Sequence, residues 1–567
     1  MKKIVLWIVA AVLVIGASVA LFLRVSKDEQ VVVLQPIEDP VFVYVNLEQL
    51  ATKGAFEKFI TSENRSFIAT VLSSQLGGDG DAEHLKNIVT NLDAIGVDTH
   101  TPVCGYLNEN LTDCVVVAKV SDRAQLDRSV ALLSYILMQG DVDFREVEND
   151  GDMRIFESGD IVLAYNNFRV ACAFGVESDS TLDVAKMAIT RPESDLSRFE
   201  ATDVALLVNA DRLIQNAYAY VSGEVAKLNG EFAEGYVSEV KYNKEMDKLN
   251  SANELINSCS AYFNPNANIL LSATFDLGRA TLAYSSECVN FGEYSALCKP
   301  TNSAHLSNLD KESFAVLSAG VDGAILAKLM RTILSGDTLQ NIGIQPTNEV
   351  NMFVSIACDA LSTINGGVTL ALEDIDGKIK QRYNHYWDEY YIEPSIKSVK
   401  AMLMADVTDT YIISNIAQFA GGFLKKVDAT HYTLRLMNYN FSMGQDDSLF
   451  HLGVNTSPQI LTPSALDAEW AKDVEGAVGY MVVNVDALMA SKFMKSTNEY
   501  ITSQIMEEYR ELYNNATEVV SYVYVSVDSL ESAEVVVVFD DKSVNALEQI
   551  NTLVLPILVK ESINSLY

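Results

Sequence analysis

A strand-to-helix pattern that occurs four times constrains the fold of this chain more than any other feature. Each copy has an apolar run typical of a strand, a small or polar residue, and then an acidic residue at the start of a Leu-containing helix. The copies lie at residues 42–50, 204–213, 314–326 and 477–488. The first and third starts are 272 residues apart, and the second and fourth are 273 apart. This spacing predicts a tandem duplication of a pair of units.

The predicted fold class is α+β, with antiparallel sheets, helices packed on one face of them, and two pseudo-equivalent halves. The first half comprises residues 41–300, with units at 41–200 and 201–300. The second comprises residues 301–567, with units at 301–474 and 475–567. At each strand-to-helix junction an Asn or Asp side chain can accept hydrogen bonds from the first free N–H groups of the helix. The recurring polar residues are therefore interpreted as helix caps. In the alternative interpretation Asn46, Asn209 and Asn484 end the strands, and the acids that follow, Glu48, Asp211 and Asp486, are the caps or first-turn acids.

The amino terminus predicts export. Lys2 and Lys3 precede residues 4–23, which carry no charge. Twenty helical residues span about 30 Å, the thickness of the hydrocarbon layer of a membrane. Residues 1–24 are therefore predicted to be a transmembrane anchor, with a cleaved signal peptide as the alternative, and residues 25–40 a short tether. The paired lysines favour a cytoplasmic amino terminus, so both interpretations place the remaining chain outside the cytoplasm, in the cell envelope.

The charge of the chain excludes one class of partner. The formal net charge is −35, from 41 basic and 76 acidic residues. Nucleic acids are bound by clusters of Lys and Arg, so nucleic acid is a poor partner. Anionic lipid headgroups are repelled for the same reason, and contact with the membrane is predicted through the N-terminal helix only.

The motifs of known catalytic and phosphate-binding loops are absent, so no catalytic residue, cofactor or metal site is predicted. Six histidines are dispersed along the chain, and only His385 has neighbours of the kind that bind metals. The segment around His385 is a candidate binding patch for a sugar ring or a partner protein. The patch comprises His385, Tyr386, Trp387, Asp388 and Tyr390. A partly buried hairpin edge is the alternative interpretation.

Two of the seven cysteines flank a polar turn. Cys104 and Cys114 could face each other across a hairpin, and a disulfide between them is a candidate in an oxidising compartment. Small buried thiols on strands are the alternative.

The repeated strand-to-helix motif and the linking residues 299–314 resemble a family of exported Bacteroidota envelope proteins with no assigned activity. The resemblance implies export and membrane attachment, often through a lipid, and it implies no mechanism. In this chain an apolar span occupies the place where a lipid-modified cysteine is expected.

These observations predict a membrane-anchored binding or scaffolding protein of the bacterial envelope, whose partner is an envelope protein or a glycan. A glycan or peptidoglycan hydrolase is the alternative, because such enzymes need only two carboxylates at a suitable separation. A carrier with an apolar cavity between the halves is a third hypothesis.

Overall fold

The computed structural model describes residues 37–55, 58, 79–108, 112–139, 142–149, 151–175, 178–260, 267–286, 296–310, 313–333, 348–384, 389–420, 422–456 and 468–555. These residues form two compact units. The described residues of Met1–Asn290 and Ser543–Tyr567 make unit 1, and those of Phe291–Lys542 make unit 2.

The strands of the described chain are β1 (Val41–Val45), β2 (Val103–Leu107), β3 (Cys114–Lys119), β4 (Arg145–Asn149), β5 (Arg154–Ser158), β6 (Ile161–Tyr165), β7 (Arg169–Phe174), β8 (Val204–Asn209), β9 (Asn268–Asp276), β10 (Arg279–Ser286), β11 (Cys298–Lys299), β12 (Ala315–Asp322), β13 (Ile364–Asn384), β14 (Glu389–Val407), β15 (Lys425–Lys426), β16 (His431–Leu436), β17 (Tyr439–Asp446), β18 (Leu449–Val454), β19 (Gly479–Asn484), β20 (Val520–Ser529) and β21 (Ser532–Phe539).

The helices of the described chain are α1 (Leu47–Gly54), α2 (Asp79–Thr90), α3 (Arg123–Gln139), α4 (Ser178–Thr190), α5 (Ala210–Ala233), α6 (Glu239–Ser260), α7 (Gly323–Ile333), α8 (Asn348–Ser362), α9 (Tyr411–Ala420), α10 (Glu469–Asp473), α11 (Val485–Ala490), α12 (Lys492–Gln504) and α13 (Glu507–Val519).

In unit 1 the strands pair in the order β4-β5-β6-β7-β3-β2-β1-β8-β9-β10, and every neighbouring pair is antiparallel. Alternate residues of the central strands β1 and β8 point into the core, as the period of two in a strand requires. Buried side chains from β3, β5, β6 and β7 meet helix α4 in one apolar cluster, which includes Val115, Ile155, Val162 and Ala185.

In unit 2 the order is β15-β16-β17-β18-β14-β13-β12-β19-β20-β21, again antiparallel throughout, and β11 pairs with the end of β12. The main apolar cluster of this unit gathers Val316, Met402, Tyr524 and Val536 from four strands around Trp470 of α10. The ring of Trp470 is 2% exposed, so burial of this large side chain anchors α10 to the sheet.

The recurring polar residues at the strand ends cap helices, as predicted. Asn46, Asn209 and Asn484 each accept a hydrogen bond from the backbone N–H three residues later, at 3.0–3.1 Å. Asp322 does the same at α7, from the N–H groups of residues 324 and 325. The acidic residue two positions after each asparagine lies in the first helical turn. There its negative charge is attracted to the positive end of the helix dipole and stabilises the helix.

The predicted fold class, α+β with antiparallel sheets and two pseudo-equivalent halves, is wrong. Among the described residues the fold is mostly antiparallel sheet, with 21 strands, and helices pack against it. Local patterns predict strands and hairpins, but the size of a sheet depends on pairing between distant segments, such as Val41–Val45 with Val204–Asn209. In the described part of the chain no helix is long and apolar enough to cross a membrane. The predicted span at residues 4–23 lies outside the described residues.

Candidate metal centre

Two histidines of unit 2 lie on one face of the sheet, on either side of a glycine. His431 begins β16, Gly444 lies in β17, and His451 lies in β18. The register pairs His431 with Gly444, and Gly444 with His451. Side chains at paired positions of adjacent strands project from the same face, so both imidazoles project over the glycine. Their ring centroids are 5.5 Å apart.

The glycine is required by this arrangement. A Cβ atom on Gly444 would lie 2.2 Å from Cδ2 of His431, 2.7 Å from its Nε2 and 2.9 Å from Cε1 of His451. Any larger residue would therefore force at least one imidazole away from the row. Gly444 leaves the space into which both rings turn.

A carboxylate completes the cluster from the same strand as the glycine. Asp446 lies two residues after Gly444, so its side chain is on the same face of β17. Its Oδ1 is 3.3 Å from Nε2 of His431. One donor atom each from His431, Asp446 and His451 all lie within 4.8 Å of one another. The cluster is half-open to solvent, because His451 is 3% exposed whereas the Asp446 side chain is 48% exposed.

A second carboxylate orients the outer imidazole. Nδ1 of His431 donates to Oδ1 of Asp428 at 2.8 Å, in the tautomer that leaves Nε2 facing the cluster. Asp428 is itself held by the backbone N–H groups of Thr430 and His431, both at 2.9 Å. A carboxylate hydrogen-bonded to the remote nitrogen of a histidine is the usual support of a metal ligand, since it fixes the ring and makes it more basic.

Each imidazole has a buried nitrogen without a hydrogen-bond partner among the described residues, Nε2 of His431 and Nδ1 of His451. Nε2 of His431 makes an ion-pair contact with Oδ1 of Asp446 at 3.3 Å. Buried polar atoms are normally satisfied, so these two nitrogens are placed to bond a ligand that enters the cluster.

The pKa values of the two histidines are shifted in opposite directions. Burial alone would lower the pKa of His431, but the hydrogen bond to Asp428 and the charges of Asp446 and Asp428 outweigh burial and raise it. Burial lowers the pKa of His451, and the neighbouring His431 lowers it further, against the opposing charge of Asp446. His451 is therefore neutral at physiological pH, which is the form that binds a metal ion.

The donor set matches a divalent transition metal. Two imidazoles and one carboxylate are the three protein ligands of several catalytic zinc sites, which keep the fourth position open. The same set ligates non-haem iron(II). Donor atoms around a tetrahedral zinc ion stand roughly 3.3 Å apart, so the donor atoms, which lie within 4.8 Å of one another, must move slightly closer to bind an ion. An all-oxygen site for calcium or magnesium would need different ligands.

The sequence alone did not identify this centre. His431 and His451 are twenty positions apart, and neither has ligand-type residues at metal-binding spacing on one helix. The alternation of β17 places Gly444 and Asp446 on one face, and the strands on either side each carry a histidine. This pattern indicates a shared site only once the register that aligns the two histidines with Gly444 is known.

The predicted aromatic patch lies mostly outside the described residues, which include only Tyr390 among its five members. The backbone of Tyr390 lies in β14 and pairs with Tyr383 of β13. The patch remains a prediction.

The structure does not bring Cys104 and Cys114 together. Cys104 of β2 is opposite Val117, and Cys114 of β3 is opposite Leu107. The cysteines are thus three positions out of register and project from opposite faces of the hairpin. Both are free thiols in the structure.

Two carboxylates of unit 2 bear on the hydrolase alternative. Burial and the charge of Asp486 raise the pKa of Asp540, while a hydrogen bond to Ser521 and the charge of Lys542 oppose the rise. Asp540 is nevertheless exposed to solvent. A general acid of a glycosidase is held in a desolvated environment, which an exposed carboxyl does not have.

Comparison with known proteins leaves the family of this chain open. No protein-family model and no curated protein matches it. The chain is similar to the solved structure of TP0453 in crystal form III, with 11% identity, coverage of 47% of this chain and 86% of that chain, and a TM-score of 0.23. Crystal form IV of TP0453 gives 11% identity, 45% and 81% coverage, and a TM-score of 0.21. TM-scores of this size do not establish a common fold.

Proposed function

We propose that this protein is a metal-binding protein of the bacterial cell envelope, which holds one Zn²⁺-class ion with His431, Asp446 and His451. The observation that carries the proposal is the row in which two histidines face each other across Gly444. Their unsatisfied nitrogens and the carboxylate support at His431 supply the chemistry.

Three protein ligands leave one position of a tetrahedral ion open. A water molecule or a side chain of a bound protein fills that position. The partner proposed from the sequence, an envelope protein or glycan, would then bind where the exposed Asp446 and Asp428 border the ion.

The envelope location is proposed from the amino terminus and from the sequence resemblance. Lys2 and Lys3 followed by twenty uncharged residues have the composition of an export signal or membrane anchor. The resemblance to exported Bacteroidota proteins supports the same location. Membrane anchoring through residues 1–24 is the topology that this composition favours.

Titration of the purified full-length protein with Zn²⁺ in a calorimeter tests the metal site. An exposed acidic chain also binds cations weakly and at many places, and calorimetry separates such binding from binding at one tight site. We expect one tight site per chain. Co²⁺ in the same site should give the visible absorption of a tetrahedral complex with nitrogen and oxygen ligands.

Asp446→Asn is the informative variant, because it removes a ligand charge and keeps the shape of the side chain. We expect its Zn²⁺ affinity to fall roughly tenfold to a hundredfold. Asp447→Asn is the matched control, since Asp447 is adjacent, lies outside the cluster, and has a φ of 50° that asparagine tolerates. Equal affinities of the two variants, or no tight site in the natural protein, would overturn the proposal.

A further inference from the structure

Unit 1 contains a cavity that is lined by three cationic side chains and by apolar side chains. The cavity has a volume of about 140 Å³. Lys119 of β3, Arg169 of β7 and Arg191, which follows α4, contribute the charges, and Phe42, Tyr106 and Val117 contribute apolar walls. A basic cavity is unexpected on a chain with a net charge of −35.

The cations exceed the carboxylates that pair with them. Arg191 is occupied by Asp39, in a bidentate pair with N···O distances of 2.8 and 2.7 Å. Glu193 forms ion pairs with both remaining cations, at 3.1 Å from Nζ of Lys119 and 3.9 Å from the guanidinium of Arg169. Around the cavity, the described residues thus place three positive charges against two negative ones.

The side chains that carry these charges are held in place. The guanidinium of Arg191 stacks 4.8 Å above the ring of Tyr106, and Arg169 donates to the backbone carbonyl of Arg191. The Arg169 side chain is 15% exposed, so solvent screens its charge weakly. Lys119 is the most exposed of the three cations.

The half-buried thiol of Cys104 also lines the cavity, where it is subject to the charges of the three cations. Burial raises the pKa of Cys104 to about 12, and the charges of Arg169, Arg191 and Lys119 all act to lower it. All three cations therefore act on one point inside the cavity, and Glu193 opposes them.

The volume limits the size of the ligand. An apolar protein cavity of roughly 150 Å³ binds one benzene molecule. A ring of this size occupies the apolar part of the cavity, and one anionic group attached to it reaches the cations. A single negative charge balances the excess of one positive charge.

We propose that this cavity is a binding site for a small organic monocarboxylate whose apolar body is about as large as a benzene ring. The carboxylate binds between Lys119 and Arg169 beside Glu193, and the ring rests against Phe42 and Val117. This site shares no residue with the metal centre, so the two proposals stand or fall separately.

Calorimetric titration of the full-length protein with benzoate, benzamide and inorganic phosphate tests the proposal. Benzamide has the shape of benzoate without its charge, and phosphate has charge without an apolar body. We expect saturable binding of benzoate, binding of benzamide at least about tenfold weaker, and still weaker binding of phosphate. Benzamide or phosphate that bound as tightly as benzoate would refute the proposal, as would absence of benzoate binding.

The Lys119→Gln variant tests whether benzoate binds in this cavity, because Lys119 lines it. It removes the exposed cation and should weaken benzoate binding roughly threefold to fivefold. Lys186→Gln is the matched control, because Lys186 is an ion-paired lysine of unit 1 that does not line the cavity. Thermal unfolding of both variants should match that of the natural protein. Unchanged benzoate affinity in a folded Lys119→Gln variant would contradict the proposed site.

Discussion

Asp113 offers a sharp test of how unit 1 is held together, because its carboxylate is fully buried and collects four side-chain hydrogen bonds. It accepts from Ser180 at 2.7 Å and Thr181 at 2.8 Å, both in the first turn of α4, and from Thr112 at 2.8 Å and Asn108 at 2.6 Å. The carboxylate thus joins the amino-terminal end of α4 to the turn that precedes β3.

Replacing Asp113 by asparagine keeps the shape of the side chain but removes its charge and one acceptor oxygen. A hydrogen bond to a charged group contributes about 1 kcal/mol more than a neutral one. Three of the four donors share one oxygen, so the amide will present its remaining oxygen to them and leave Thr181 facing an NH₂ group. We expect the Asp113→Asn variant to lose about 3 kcal/mol of unfolding free energy at neutral pH.

The loss should depend on pH. Burial acts to raise the pKa of Asp113, but the hydrogen bonds from Ser180, Thr112, Thr181 and Asn108 outweigh it and hold the pKa below its usual range. A lowered folded-state pKa stabilises the fold at pH values above the unfolded pKa of about 3.9, and the contribution disappears as the pH falls through the lower, folded value. The difference between the natural protein and the variant should therefore shrink as the pH drops below about 4.

Urea unfolding followed by circular dichroism measures the loss, and hydrogen exchange of the α4 peptide assigns it to unit 1. Asp183→Asn is the matched control, because Asp183 lies on the same helix and is exposed. The reasoning fails if Asp113→Asn costs less than about 1 kcal/mol, if Asp183→Asn costs as much, or if acidification leaves the difference unchanged.

Three further results are expected. Lys400→Met should cost about 2 kcal/mol in urea unfolding, because it removes the ammonium group 3.0 Å from the buried carboxylate of Glu373; no loss would show that solvent replaces the lysine. Asn484→Ala should cost about 1 kcal/mol through the missing cap of α11, and a cost below a few tenths would contradict that role. A maleimide should label the exposed Cys114 in the native protein and the buried Cys358 only after unfolding, as mass spectrometry of tryptic peptides can show; native labelling of both would refute the packing around Cys358.

The sequence predicted those parts of the fold that depend on neighbours along the chain. The caps at Asn46, Asn209 and Asn484 follow from a polar side chain placed just before an apolar helical run. The hairpin of β20 and β21 follows from two apolar runs joined by a polar turn. Helix caps and hairpin turns both depend on residues a few positions apart, so they can be predicted without knowledge of the tertiary structure.

Tertiary structure alone decided the extent of the sheet and the position of the candidate metal centre. Strand β12 pairs with β19, more than 150 residues away, and a period-two pattern is the same whichever strand lies beside it. His431 and His451 meet because the register places Gly444 between them, and a shift of one residue would turn one ring to the other face. Local composition therefore determined where strands and helix ends occur, whereas long-range register determined which side chains share a site.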